Sequence, residues 1–120
     1  RQVAATEQLT HKFHEAPVWL VACLRTGPRG PDAMSGASIY PAVQNMLLTA
    51  RALGLGSTLT TRHMMYGKEV DAVLGLPEGV TSFAILPIGY PEGKFGPVGR
   101  NPLDTFAHQE TWGTPFAARS

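Results

Sequence analysis

The chain has 120 residues, with 10 Lys and Arg against 9 Asp and Glu for a net charge of +1. Those charges are scattered, which leaves no electrostatic footprint for nucleic acid or an acidic membrane surface. Hydrophobic content of 43% and charged content of 16% describe one globular domain able to bury a core. No apolar run approaches membrane-spanning length and no signal peptide is present, so a soluble cytoplasmic protein is the expectation.

The chain begins Arg1-Gln2-Val3, without an initiator Met, inside what reads as a helix running to Glu15. Val3, Leu9 and Phe13 form only a partial apolar stripe, the pattern of a cut helix and therefore of a fragment. Pro17 closes it, because a residue before proline is pushed toward extended geometry. Val18 to Leu24 is nearly all apolar and predicts a strand covered on both faces, an interior position. The single cysteine, Cys23, lies in this run, so no intramolecular disulfide is available and an inert buried thiol is expected. Arg25 to Gly36 holds three Gly and two Pro and predicts a loop long enough to cover a site.

Ser38 to Thr61 organises the rest. Ile39, Val43, Met46, Leu47, Ala50 and Leu53 recur at helical spacing and predict one core-facing stripe. Ser38 is the predicted N-cap, Pro41 falls in the first turn where no N–H bond is lost, and Gly54 is the predicted left-handed stop. Leu55 to Thr61 then reads as a strand leaving at Leu59-Thr60-Thr61-Arg62, a polar exit with a cation beside it. A second helix is predicted over Met64 to Leu74, stopped by Gly75, and Pro77-Glu78-Gly79 makes a turn. Val80 to Ile88 predicts a further strand, whose end Pro87 marks as an edge or a bulge. Gly89 to Pro102 is irregular. Residues 103–120 keep Leu103, Phe106 and Trp112 without periodicity, as an extended arm needing another surface. Alternating helices and strands point to α/β or α+β packing in a single domain spanning 1–120, with a thin sheet covered by helices.

Few residues are placed for chemistry by the protein alone. His11 and His14 share a helix face, but no third ligand stands near them, and His63 and His108 are isolated, so no metal site is predicted. There is no G-x-S-x-G elbow, Cys23 sits mid-strand, and no carboxylate pair stands out. Gly96-Pro97-Val98-Gly99-Arg100 places an arginine in a glycine-bounded loop. That can be a turn with a solvated arginine or a site gripping phosphate through backbone N–H groups and a planar guanidinium. A lack of catalytic side chains favours a cofactor or no catalysis.

Four segments in order carry a resemblance: Ala42-Val43-Gln44-Asn45-Met46-Leu47-Leu48, Ala52-Leu53-Gly54-Leu55-Gly56-Ser57, Leu86-Pro87-Ile88-Gly89-Tyr90-Pro91 and Gly99-Arg100 with Pro102-Leu103. Over roughly residues 16 to 113 the chain resembles the C-terminal part of the FMN-dependent nitroreductase family. The resemblance implies an α+β fold, a central mostly antiparallel sheet flanked by helices, and a homodimer with the C-terminal arm wrapping the other subunit. It implies FMN at the interface and hydride passing from NAD(P)H through flavin N5 to a nitroaromatic, quinone or similar acceptor. Arg100 would grip the FMN phosphate, and Leu59, Thr60 and Thr61 would lie against the isoalloxazine ring. No catalytic side chain and no metal are implied. His63, beside that exit, reads either as a substrate contact or as a surface residue. A flavin-free scaffold of the same fold, or a member with different flavin chemistry, is the alternative.

Overall fold

The structure, a computed structural model, describes residues 2–32 and 34–116. Helix α1 (Gln2–Lys12) ends in a 3-10 turn, Phe13–Glu15, and leads into strand β1 (Val18–Arg25). A loop brings the chain to helix α2 (Ser35–Ala52), then to the short strand β2 (Gly56–Ser57). A 3-10 segment, Arg62–Tyr66, runs into helix α3 (Gly67–Val73), and strand β3 (Val80–Gly89) completes an α+β unit. The sheet is antiparallel with order β1-β3-β2.

This order reverses the expected places of the two long strands. The Val80–Gly89 strand is central and Val18–Arg25 is the edge, with Val18 and Trp19 about half exposed. An apolar run reports how well the faces of a strand are covered; it carries no information on how many neighbours share its ladder. The one irregularity in the β1–β3 register falls at Ala22 and Cys23, away from Pro87.

Pro87 acts on the other side of β3. Thr60 and Ile85 exchange both backbone hydrogen bonds, N–H to O at 3.1 and 3.0 Å. Backbone groups alternate sides along a strand, so the position of Pro87, two residues on, also faces β2. The pairs Ser57↔Ile88 and Thr60↔Ile85 put Thr58 opposite Pro87, which has no N–H to give. The expected strand Leu55–Thr61 is therefore reduced to Gly56–Ser57 and an isolated bridge at Thr60, with Thr58 and Leu59 released between them.

The buried core is Ala22, Ile39, Val43, Phe83, Ala84 and Leu86, joined by half-buried Leu20, Leu47 and Ile88. Helix α2 supplies Ile39, Val43 and Ala50 from one face. Met46 and Leu53, expected in the same stripe, are exposed, because the sheet is narrow and covers only the centre of that stripe. The helix also begins a turn before Ser38. The Asp32 carboxylate accepts from the amides of Met34 (3.0 Å) and Ser35 (2.9 Å), while Ser35 Oγ accepts from the Asp32 amide at 3.0 Å. This reciprocal arrangement is a capping box. It moves Pro41 into the second turn, where the Ala37 carbonyl gets no intrahelical donor; both residues are exposed, so water can serve it.

Both helix stops are of one kind. Gly54 (φ 77°) and Gly75 (φ 65°) adopt the left-handed conformation. Around each, the residue after the glycine bonds back five positions, Leu55 to Ala50 and Leu76 to Asp71, and the glycine bonds back three, which makes a Schellman motif. The second helix, expected from Met64, splits into the 3-10 segment and α3. Asp71 of α3 then ties the helix to the sheet, accepting from the amide (3.2 Å) and hydroxyl of buried Ser82.

Beyond β3 the chain runs irregularly through residues 90–102 and a 3-10 turn, Leu103–Thr105. Residues 107–116 then fold back on themselves through an isolated bridge between His108 and Pro115. The radius of gyration is 18.0 Å, against about 14 Å for a compact domain of this length. Trp112 is 90% exposed and Phe106 55%, so the arm packs little of its apolar surface on this chain.

Candidate functional site

The released segment after β2 is where the fold concentrates usable polar groups. Thr60 is anchored to β3 by its two backbone bonds to Ile85, and its Oγ1 adds a third, to the Ile85 carbonyl at 2.6 Å. Because backbone direction alternates, the amides of Leu59 and Thr61 point away from β3. No described residue accepts from either. These donors flank a cavity of about 590 Å³ between the strand exit and α1. Leu9 and Phe13 wall it on the helix side, and Leu59 and Ile85 on the strand side. Phe13 is held by Trp19, their rings tilted at a centroid distance of 4.7 Å. Thr6, Thr10, Thr58, Thr60, Thr61, Arg62 and His63 complete the rim.

Three of the four residues expected to bind cofactor, Leu59, Thr60 and Thr61, thus share one cavity. Arg100 does not line it. It is exposed on the 90–102 loop, where its Nη1 donates to the Gly99 carbonyl at 3.1 Å. That loop is fastened to α2: the Arg51 guanidinium lies 3.3 Å from the Phe95 ring centroid, a cation–π contact. Pro91 also packs on Gly56, where an added Cβ would stand 3.4 Å from the Pro91 side chain.

Among the described residues, His63, Ser57 and, through its Nδ1, His108 carry polar side-chain atoms that are closed off from solvent without a hydrogen-bond partner, a condition visible only in three dimensions. Both ring nitrogens of His63 are closed off from solvent and lack a hydrogen-bond partner among the described residues. Ser57 Oγ is in the same condition, in a neighbouring cleft of about 410 Å³ lined also by Pro17, Pro87 and Tyr90. Pro87, whose missing N–H opens the ladder at Thr58, was a signal beside Ser57, and none marked the ring nitrogens of His63. Cys23, expected to be buried, is half-buried; burial pushes its thiol above its ordinary value, and the charge of Asp71 adds to this. Among the described residues, no three His, Cys, Asp or Glu side chains converge as a metal set.

Residues 1–90 match the Nitroreductase family model. The chain belongs to the nitroreductase family. A protein of Methanothermobacter thermautotrophicus, described as an NADH dehydrogenase/NAD(P)H nitroreductase, is 29% identical over 79 residues. That match covers 64% of this chain and 41% of the relative. A nitroreductase of Bacteroides thetaiotaomicron, described in the same words, superposes with a TM-score of 0.65 at 23% identity, over 78% of this chain and 55% of the other. A mutant of the FMN and NADPH-dependent nitroreductase NfnB from sphigopyxis sp. strain HMH gives a TM-score of 0.64 at 26% identity. Here 91% of this chain and 49% of the other are covered. This nitroreductase chain therefore spans about half the length of the relatives it matches. No helix among its described residues is long and apolar enough to cross a membrane.

Proposed function

We propose that this chain serves an FMN-dependent NAD(P)H oxidoreductase of the nitroreductase type, working as a homodimer in the cytoplasm. The observation that carries this reading is the strand exit itself, with two outward amides on the rim of a largely apolar cavity. Its volume of about 590 Å³ lies within the roughly 300–1,000 Å³ of small-molecule sites. Apolar walls suit a flat aromatic ring, and outward amides suit its polar edge, so the donor set fits a flavin. FMN, when bound, supplies two-electron chemistry, taking hydride from NAD(P)H and passing it to a nitroaromatic, quinone or similar acceptor.

The chain's own residues position and shield. The amides of Leu59 and Thr61 orient the ring edge, and Thr60, fixed to Ile85, keeps them from turning. Leu9 and Phe13 exclude water. Arg100 spends one N–H on its neighbour's carbonyl, which leaves the rest of the guanidinium for a phosphate. The exposed arm, and the excess of the radius of gyration over a compact domain, support a second subunit as the surface on which residues 103–116 rest. No acid–base side chain is needed, since the work is positioning and exclusion of water.

The test is the visible absorption spectrum of the purified chain titrated with FMN. Bound-flavin bands that NAD(P)H bleaches are the expected result. Arg100→Ala should weaken FMN binding by about 10- to 150-fold, equivalent to losing ~1.5–3 kcal/mol of charge-assisted hydrogen bonding. A chain that ignores FMN, in isolation and within the full-length protein, would refute the proposal.

A further inference from the structure

Helix α1 walls the cavity yet is lightly packed on the rest of the fold. Residues 6–17 include no buried residue, and among them only Leu9, Phe13 and Ala16 are half-buried. From residue 7 to residue 16 the described hydrogen bonds and the ion pair stay within the segment. Thr10 Oγ1 donates to the Thr6 carbonyl at 2.9 Å, the Ala16 amide to the Phe13 carbonyl at 3.3 Å, and Lys12 pairs with Glu15 at 3.6 Å. A segment with few buried apolar contacts and no hydrogen bonds to its neighbours opens at low cost.

Two described contacts tie the end of this segment to the sheet. Pro17 stands on Gly89, where an added Cβ would come within 3.1 Å of the proline ring. The Phe13 and Trp19 rings meet at a centroid distance of 4.7 Å, tilted by 55°. Trp19 pairs with Pro87 across the β1–β3 ladder, and directly opposed residues point to one face of a sheet. Ile85, two residues before Pro87, shares that face and lines the cavity. The ring pair thus bridges the helical wall and the sheet face beneath the cavity. Ala22, Ala84 and Leu86 of the core, on alternate positions, belong to the opposite face with α2, so the rings can part without disturbing the core.

We propose that α1 is a hinged wall, pivoting at Pro17 and latched by the Phe13–Trp19 ring pair, with Trp19 the positioning residue through which the sheet holds that wall closed on a bound ring. Proline fixes φ at the pivot, so rotation falls to the extended Ala16 (φ −66°, ψ 123°), an element-terminal position of the kind that absorbs hinge motion. With the rings together, Leu9 and Phe13 shield the strand exit. With the rings apart they swing from it, and the occupant can leave. The role of the latch at the cavity rests on FMN being the ring that the cavity holds.

The experiment compares wild type with Trp19→Ala, Trp19→Phe and Phe13→Ala by amide hydrogen exchange and by stopped-flow release of FMN. An aromatic pair shifts an opening equilibrium by about 2- to 12-fold. Trp19→Ala and Phe13→Ala should each accelerate exchange of the α1 amides by that factor, and the double variant should be no faster than either. Amides of α2 should keep their wild-type rates. FMN dissociation should quicken by the same factor while its association rate constant does not fall, and Trp19→Phe, which restores a ring, should recover most of both effects. Exchange of α1 unchanged in Trp19→Ala overturns the inference, as does equal acceleration in α1 and α2, which would make Trp19 a general stabiliser. FMN release unchanged while α1 loosens overturns it too, because the wall then closes on nothing. Should wild type bind no FMN while α1 exchange still depends on Trp19, the cofactor proposal fails and the latched wall stands.

Discussion

Replacing Asp71 by alanine removes the one acceptor that serves both donors of Ser82, a residue 2% exposed. A hydrogen bond to a charged acceptor contributes about 1.5–3 kcal/mol, and each buried donor left unmet costs about 1–3 kcal/mol. The Ser82 hydroxyl can rotate toward another acceptor but its amide cannot, so Asp71→Ala should lose about 2–4 kcal/mol. Ser82→Ala keeps the amide bond to Asp71 and should lose only about 1–2 kcal/mol. Because the two residues act on one another, the double variant should fall short of the sum by roughly 1–2 kcal/mol. Urea unfolding followed by far-UV circular dichroism measures all four corners of this cycle. A coupling within about 0.5 kcal/mol of zero would refute the claim that this pair fastens α3 to the central strand.

The cap of α2 should show its own pH dependence. The Ser35 hydroxyl and the Met34 amide hold the Asp32 carboxyl below its ordinary value. The folded group therefore ionises at lower pH than the unfolded one, and its support is complete above the ordinary carboxylate range and lost as pH falls through the lowered value. Amide exchange in the first turn of α2 should accelerate over that acid window in wild type, and Asp32→Asn should abolish the step. Cys23, raised by burial and by Asp71, should react with Ellman's reagent at pH 8 more slowly than free cysteine, and Asp71→Asn should speed it; a rate equal to the free thiol would contradict the assignment. Phe95→Ala should release the 90–102 loop from Arg51 and raise tryptic cleavage at Lys94 and Arg100 by about 2- to 5-fold, the worth of an exposed cation–π contact of ~0.5–1 kcal/mol; unchanged cleavage would show that the contact holds nothing.

The stops of the helices were legible locally, whereas the start of α2, expected at Ser38, lies at Ser35. Gly54 and Gly75 stop their helices because only a residue at ease with positive φ can close a Schellman turn. The helical stripe found Ile39, Val43 and Ala50 for the same reason: a 3.6-residue period belongs to one helix alone. Strand order was not legible, since Val18–Arg25 and Val80–Gly89 are both apolar and nothing in either states which sits in the middle. Pro87 was noticed as a disturbance, yet its side of the ladder depended on the register with Thr60, a pairing 25 residues away. The polar exit at Leu59, Thr60 and Thr61 was legible in the residues, and its expected cofactor role came from family resemblance. The orphaned nitrogens of His63 could come only from the folded chain, because burial without a partner is a property of the surroundings.

The β1–β3 ladder has a kinetic consequence. It joins Val18 to Ile88 at one end and Arg25 to Val80 at the other, separations of 88 − 18 = 70 and 80 − 25 = 55 residues. Closing so long a loop must precede any gain from the contacts it allows, and pairings this distant slow folding more than they weaken the folded state. Helix α2, with its own cap and its own stop, can form early inside that loop. The central strand, meanwhile, waits for an edge that was made long before it. During synthesis β1 leaves the ribosome first and stays an unpaired apolar ribbon until β3 follows, which makes that interval the chain's period of greatest exposure to misassociation.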